Sequence, residues 1–230
     1  MDKCRILGID VDKVTMDEAV AVAKGFFGGG VHTVFTPNPE IIMLSQKDDE
    51  LKRILNEADL VLPDGIGVVI ASRLVKNPLP ERVAGYDFVC RLLDMGFSFY
   101  LFGAKPGVAD LAAERLRARG VNIVGTHSGY FDDDTEIIND INAKKPDVLL
   151  VCLGAPKQEK WINRNKNRLD VKVCIGAGGT LDGLSGNVKR APEIFIRLNL
   201  EWLYRAIIRP SRFIRLAALP KFLISVLKSK

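Results

Sequence analysis

The chain has 230 residues, of which 47% are hydrophobic and 27% charged; this excludes a disordered polymer and leaves a globular chain long enough to bury a sizeable core. The net charge of +5 conceals a split: residues 194–230 hold eight Lys or Arg against the acid Glu201, whereas residues 1–193 hold 25 bases and 27 acids. No run reaches the roughly 18 uncharged apolar residues of a membrane span, and the first residues lack a signal peptide's apolar stretch, so the expectation is a cytoplasmic protein whose basic tail meets a polyanion.

In chain order, 6–10 reads as a short strand, and Thr15-Met-Asp-Glu18 as a capping box opening a helix to about Phe27. Gly28–Gly30 closes that helix, 31–36 is the next strand, and 39–46 and 48–57 are helical. Leu60-Val-Leu62 reads as the end of a buried strand, broken by Pro63-Asp64-Gly65 before 66–75 resumes at helical spacing. A polar loop containing Arg82-Val-Ala-Gly-Tyr-Asp87 leads to a helix ending near Met95. Strands at 98–103, 121–125, 148–154 and 171–175 then alternate with helices at 106–119, 134–143 and 156–167. Such alternation predicts an α/β fold, a mainly parallel sheet with helices on both faces.

The tail differs from this body. Residues 194–209 mix Phe195, Leu198, Trp202, Leu203 and Ile207 with Arg197, Arg205 and Arg209. Pro210 breaks the pattern, 211–219 carry Phe213 and Leu216 beside Arg212 and Arg215, Pro220 breaks it again, and 222–227 are apolar between Lys221 and Lys228. Basic amphipathic helices with aromatic residues suit an anionic membrane surface; the alternative is a helix pair packed on the body or on another subunit. Nucleic acid fits poorly, because apolar residues outnumber what phosphate contact requires. The division is a core over 1–193 and an appendage over 194–230.

Chemistry concentrates where strands end. Thr36-Pro-Asn38, Pro63-Asp64-Gly65, Gly154-Ala-Pro and Gly176-Ala-Gly-Gly179 each follow a predicted strand, and in a parallel sheet all four meet at the edge where such folds bind ligands. Asp64 is there a carboxylate able to take a proton from a substrate hydroxyl, although Asp before Gly is also a common turn. Gly178 and Gly179 could bring backbone N–H groups to a phosphate. Leu181 occupies the third position of Gly-x-Gly-x-x-Gly, so a dinucleotide fingerprint is missing, and no P-loop is present. Asp132-Asp-Asp134 precedes a helical run and suits a helix N-terminus better than a metal. His32 and His127 stand alone and suit hydrogen bonding. No Gly-x-Ser-x-Gly nucleophile motif occurs. The scattered Cys4, Cys90, Cys152 and Cys174 read as free thiols, buried at 152 and 174.

Taken with Leu101-Phe-Gly-Ala104, Gly129-Tyr-Phe131, Gly154-Ala-Pro-Lys-Gln-Glu-Lys-Trp161, Lys189-Arg-Ala-Pro192 and Leu200-Glu-Trp-Leu-Tyr-Arg205, these stretches resemble the WecG/TagA/CpsF family of bacterial glycosyltransferases, glycosyltransferase family 26, over essentially the whole chain. The resemblance implies a Rossmann-like core, with an appendage that closes the active site at the inner face of the cytoplasmic membrane. The implied reaction is an inverting, metal-independent transfer from a UDP-sugar. In TagA-like members this moves N-acetylmannosamine from UDP-ManNAc to the 4-hydroxyl of undecaprenyl-diphosphate-linked GlcNAc, in teichoic acid linkage-unit synthesis.

Carried onto this chain, Asp64 matches the base and Thr36 joins it in the catalytic set; Asn38 lines the same pocket. Arg82 and Gln158 match donor-holding positions, and Arg205, Arg212 and Arg215 match arginines that reach diphosphates. TagA-like members also imply self-association. Leu181 stands where the family usually has Phe, and the donor sugar rests on overall likeness; another UDP-sugar, such as ManNAcA or a hexose, is the alternative. Remoter readings are a soluble nucleotide-dependent oxidoreductase, which lacks its fingerprint after the first strand, and a non-catalytic membrane scaffold, which leaves the polar strand ends without purpose.

Overall fold

A computed structural model describes residues 1–188, 190–198, 200–201, 203–204 and 218–229. The chain opens with a hairpin, β1 (Lys3–Ile6) and β2 (Ile9–Asp12), paired antiparallel as a separate two-stranded sheet. The expected strand at 6–10 is therefore corrected: Leu7 and Gly8, at φ +49° and +79°, form a tight turn through its middle, the left-handed geometry that favours two-residue hairpin loops. Alternation survives on either side, with Cys4, Ile6, Ile9 and Val11 buried.

The rest alternates as expected. In order come α1 (Met16–Gly25), β3 (His32–Phe35), α2 (Pro39–Ser45), α3 (Asp49–Asn56), β4 (Leu60–Val61), α4 (Ile66–Leu74) and α5 (Gly85–Leu93). Then follow β5 (Ser98–Gly103), α6 (Val108–Ala118), β6 (Asn122–His127), α7 (Thr135–Lys144), β7 (Val148–Cys152), α8 (Lys157–Asn165), β8 (Val173–Gly176) and α9 (Thr180–Leu184). The predicted capping box is present: Thr15 Oγ1 accepts from the Glu18 N–H and the Glu18 carboxylate from that of Thr15.

The six longer-range strands form one sheet in the order β4-β3-β8-β7-β5-β6, every pair parallel. Successive strand residues feed opposite layers. Phe99 and Leu101 pack with Val34, Phe88 and Leu181 on one face, while Tyr100 and Phe102 pack with Phe35, Trp161 and Phe222 on the other. Burial on both faces explains why 148–152 is apolar without alternation.

Of the tail, α10 (Glu193–Arg197) and α11 (Ala218–Lys228) are described. Pro220 does not break α11, which runs through it. Phe222 and Val226 are fully buried against α2 and α4, while Ile224 and Leu227 face outward. The end of the appendage is thus packed on the body. Among the described residues, no helix is long and apolar enough to cross a membrane.

The minor features resolve simply. All four cysteines are free, with Cys4, Cys152 and Cys174 buried. His32 pairs with Asp59 at 3.0 Å and stacks on Phe26, and His127 Nδ1 meets the Ser128 carbonyl at 2.7 Å. Asp134 begins α7 and accepts from Trp161 Nε1 and Asn165 Nδ2 at 2.8 and 2.9 Å.

Asp12 ties the hairpin to the sheet's open edge. Its carboxylate is fully buried and accepts the Val61 N–H at 2.7 Å, two residues before Pro63. Burial raises its pKa above the ordinary carboxylate value. The folded state therefore binds this proton more tightly than the unfolded chain, and the group's contribution to stability falls as pH rises through the raised value. Asn at this position keeps an acceptor for Val61 and cannot ionise. Urea unfolding of Asp12→Asn should show stability gaining on the native chain as the pH rises above about 4, near the unfolded Asp value; a gap that stays constant with pH would contradict this.

Candidate active site

β4, β3, β8 and β7 are neighbours in the sheet, so the four polar strand ends emerge side by side. They border a cleft of about 720 Å³ whose lining includes Thr36, Asn38, Asp64, Arg82, Gln158, Gly178 and Gly179. Every predicted site residue of the body is thereby brought to one place. Arg205, Arg212 and Arg215 lie outside the described residues.

Local geometry explains each placement. The Leu62 N–H donates to the Phe35 carbonyl at 2.8 Å, extending the sheet one residue beyond β4, and the Asp64 N–H turns back to the Leu62 carbonyl at 2.9 Å. Gly65 follows at φ +87°, a conformation that a β-carbon would strain, and α4 starts there without a side-chain cap. Asp64, half-buried, is held at the cleft by that turn. The Val83 N–H donates to the Pro63 carbonyl at 3.1 Å, which brings the Arg82 loop alongside.

Thr36 Oγ1 lies 3.4 Å from the Gly176 carbonyl, across from Gly85, where a β-carbon would come within 2.9 Å of that hydroxyl. The Asn38 side-chain oxygen caps α2 by accepting the Ile41 N–H at 3.1 Å, leaving its amide N–H₂ as what Asn38 offers a ligand. Gln158 is only 2% exposed and accepts the Gly178 N–H at 2.9 Å. One wall comes from the tail: Glu201, Ala218 and Leu219 also line the cleft.

A second cavity, about 890 Å³, adjoins it at the ends of β5, β6 and β7. Here β5 is followed by its outer neighbour β6, whereas β7 is followed by β8 on the other side, the reversal at which doubly wound sheets open a crevice. Lys105, Tyr130, Phe131, Lys157 and Asp182 contribute to its lining. Lys157 Nζ sits 4.6 Å from the centre of the Phe131 ring, and Tyr130 is 64% exposed. Lys157 and Gln158, adjacent in the first turn of α8, serve the two cavities in turn.

Sequence reasoning quotes the stretches holding Tyr130, Phe131 and Lys157 without giving these residues a task, and its motifs stop one residue short of Lys105; their position after β5, β6 and β7 was the available signal. Tyr86 was missed likewise. It lines the first cleft, with the Arg190 guanidinium 5.0 Å from its ring centre while Arg190 also pairs with Asp87. No signal in one chain could have joined Arg190 to a loop a hundred residues earlier. Among the described residues, no group of three or more His, Cys, Asp or Glu is arranged to hold a metal ion.

Comparison with known proteins fits this geometry. The family model described as "Glycosyl transferase WecG/TagA/CpsF family" matches residues 4–230. A Bacillus spizizenii protein named N-acetylglucosaminyldiphosphoundecaprenol N-acetyl-beta-D-mannosaminyltransferase is 40% identical over 201 residues, covering 85% of this chain and 78% of its own. A Bacillus subtilis protein of the same name is 40% identical over 203 residues, covering 86% and 79%. A Staphylococcus aureus protein, also so named, is 37% identical over 237 residues, covering 99% and 93%.

Proposed function

Because the chain belongs to the WecG/TagA/CpsF family of glycosyl transferases, we propose that it moves N-acetylmannosamine from UDP-ManNAc to the 4-hydroxyl of undecaprenyl-diphosphate-linked GlcNAc. The observation that carries the chemistry is the placement of Asp64 at a strand end, in one cleft with Thr36, Asn38, Arg82 and Gln158. The acceptor oxygen attacks the donor's anomeric carbon, the bond to the diphosphate breaks with its electron pair leaving on UDP, and the hydroxyl proton passes to the Asp64 carboxylate. A single displacement inverts the anomeric centre.

Two adjoining cavities suit a donor of this length. The nucleotide lies in the second cavity against Tyr130, with its diphosphate toward Lys105 and Lys157, and the sugar reaches the Asp64 cleft. Arg82, Gln158 and the Gly179 N–H hold the donor from the other side, while the Gly178 N–H is engaged by the Gln158 oxygen. Cations and N–H donors aimed at the leaving diphosphate meet its developing charge, so the transfer calls for no metal. The lipid-linked acceptor gives the basic tail its purpose: residues 194–230 bring the body to the inner face of the membrane, and Arg205, Arg212 and Arg215 reach the diphosphates.

The test is UDP release from a panel of UDP-sugars with a short-chain lipid-diphosphate GlcNAc acceptor. Acceptor-dependent release with UDP-ManNAc is expected. Release with UDP-ManNAcA or a UDP-hexose instead would keep the mechanism and change the polysaccharide, and release with none by folded protein would favour the membrane scaffold.

A further inference from the structure

Glu159 is a carboxyl residue that the reaction does not use. It sits in the first turn of α8 and is 1% exposed. Its Oε1 accepts from Gln158 Nε2 at 2.9 Å, while its Oε2 is buried without a hydrogen-bond partner. Burial also raises its pKa above the usual carboxylate value. A buried polar atom left unsatisfied is costly, and a leucine of similar size would avoid that cost.

The geometry around Gln158 supplies a reason. A side-chain amide has one accepting end and one donating end. The Gly178 N–H can only donate, so the Gln158 oxygen must face it, as it does at 2.9 Å. The amide's N–H₂ must then find an acceptor on the far side, inside the protein. Glu159 is that acceptor, and the Oε1 it presents there has no N–H to offer in exchange. Space is equally constrained, since a β-carbon on Gly176 would come within 3.2 Å of Gln158 Nε2 and 2.9 Å of the Phe35 ring.

We infer that Glu159 is a positioning residue: its buried carboxyl locks the Gln158 amide in the one orientation that pins the Gly178–Gly179 loop against the cleft. The lock acts through Gln158 alone. Its consequence for the donor rests on the function proposed above, whereas its consequence for the loop does not.

Two variants and one rescue test it. Glu159→Leu removes the acceptor, Glu159→Asp withdraws it by one methylene and serves if the leucine variant does not fold, and Glu159→Gln restores an acceptor of the same length. In the absence of any substrate, hydrogen exchange at the Gly178 amide should quicken about tenfold in the Leu and Asp variants and stay within about threefold in the Gln variant. Protection through β8 and the rest of α8 should stay as in the native chain. In turnover, the KM for the UDP-sugar should rise about tenfold with the acceptor KM unmoved. A folded Leu or Asp variant that protects Gly178 as well as the native chain overturns the inference. Absence of turnover by the native chain would sink the proposed reaction and leave the exchange result to decide the lock.

Discussion

An Asp64→Asn variant should melt at the temperature of the native chain and lose acceptor-dependent UDP release by about 10²–10⁴-fold, the range expected when a positioned general base is removed. The substitution is isosteric, and the turn that places residue 64 is made by backbone groups, the Asp64 N–H and the Leu62 carbonyl, which Asn leaves unaltered. The side-chain amide cannot take the acceptor's proton, so the loss should fall on kcat while the KM for the donor moves little. UDP release at saturating donor and acceptor, read beside thermal unfolding, separates the two effects. Activity within a few-fold of native would move the base to another carboxylate of the cleft, Glu40 or Glu201.

The second large effect is on the wall that α11 provides. Phe222 is fully buried among Phe35, Ile42 and Val68, and truncating a buried Phe to Ala costs about 3–5 kcal/mol. A helix docked on one face can leave before the body unfolds, so Phe222→Ala should first free α11. Hydrogen exchange and limited proteolysis should show 218–228 losing protection while β5, β7 and β8 keep theirs, and substrate KM should rise. Uniform loss of protection would mean that α11 and the sheet unfold as one unit, and unchanged protection would mean that the Phe222 side chain does not hold the helix.

Much of this was legible because the relevant signals are local. The capping box at Thr15, the Pro63-Asp64-Gly65 break and the unalternating run at 148–152 each announce themselves within a few residues. The order of strands is not local, yet four polar strand ends in a parallel sheet must share an edge whatever that order is, so the cleft could be anticipated.

What escaped depends on distance or on a single backbone angle. Apolar residues on both sides of Gly8 look like one strand until a positive φ folds them back. Pro220 reads as a breaker, whereas α11 runs through it. The pairings of Arg190 with Asp87 and of Glu159 through Gln158 with Gly178 join side chains whose complementarity exists only in three dimensions. The second cavity was in view as motifs and hidden as a site, since nothing local says that 105, 130 and 157 face one another.

The wall made by Ala218 and Leu219 also has a consequence in time. Thr36 and Asp64 leave the ribosome early, and the sheet that aligns them is complete once β8 has been made, but the helix that encloses the cleft is translated some forty residues later. Until then the seat of Leu219 beside Pro39 and Gly67, and that of Phe222 and Val226 among Ile42 and Val68, is an apolar groove open to the solvent. A nascent chain at that stage is unfinished. It carries its acid and lacks its enclosure, and it offers chaperones a defined apolar surface that disappears when 218–228 arrives.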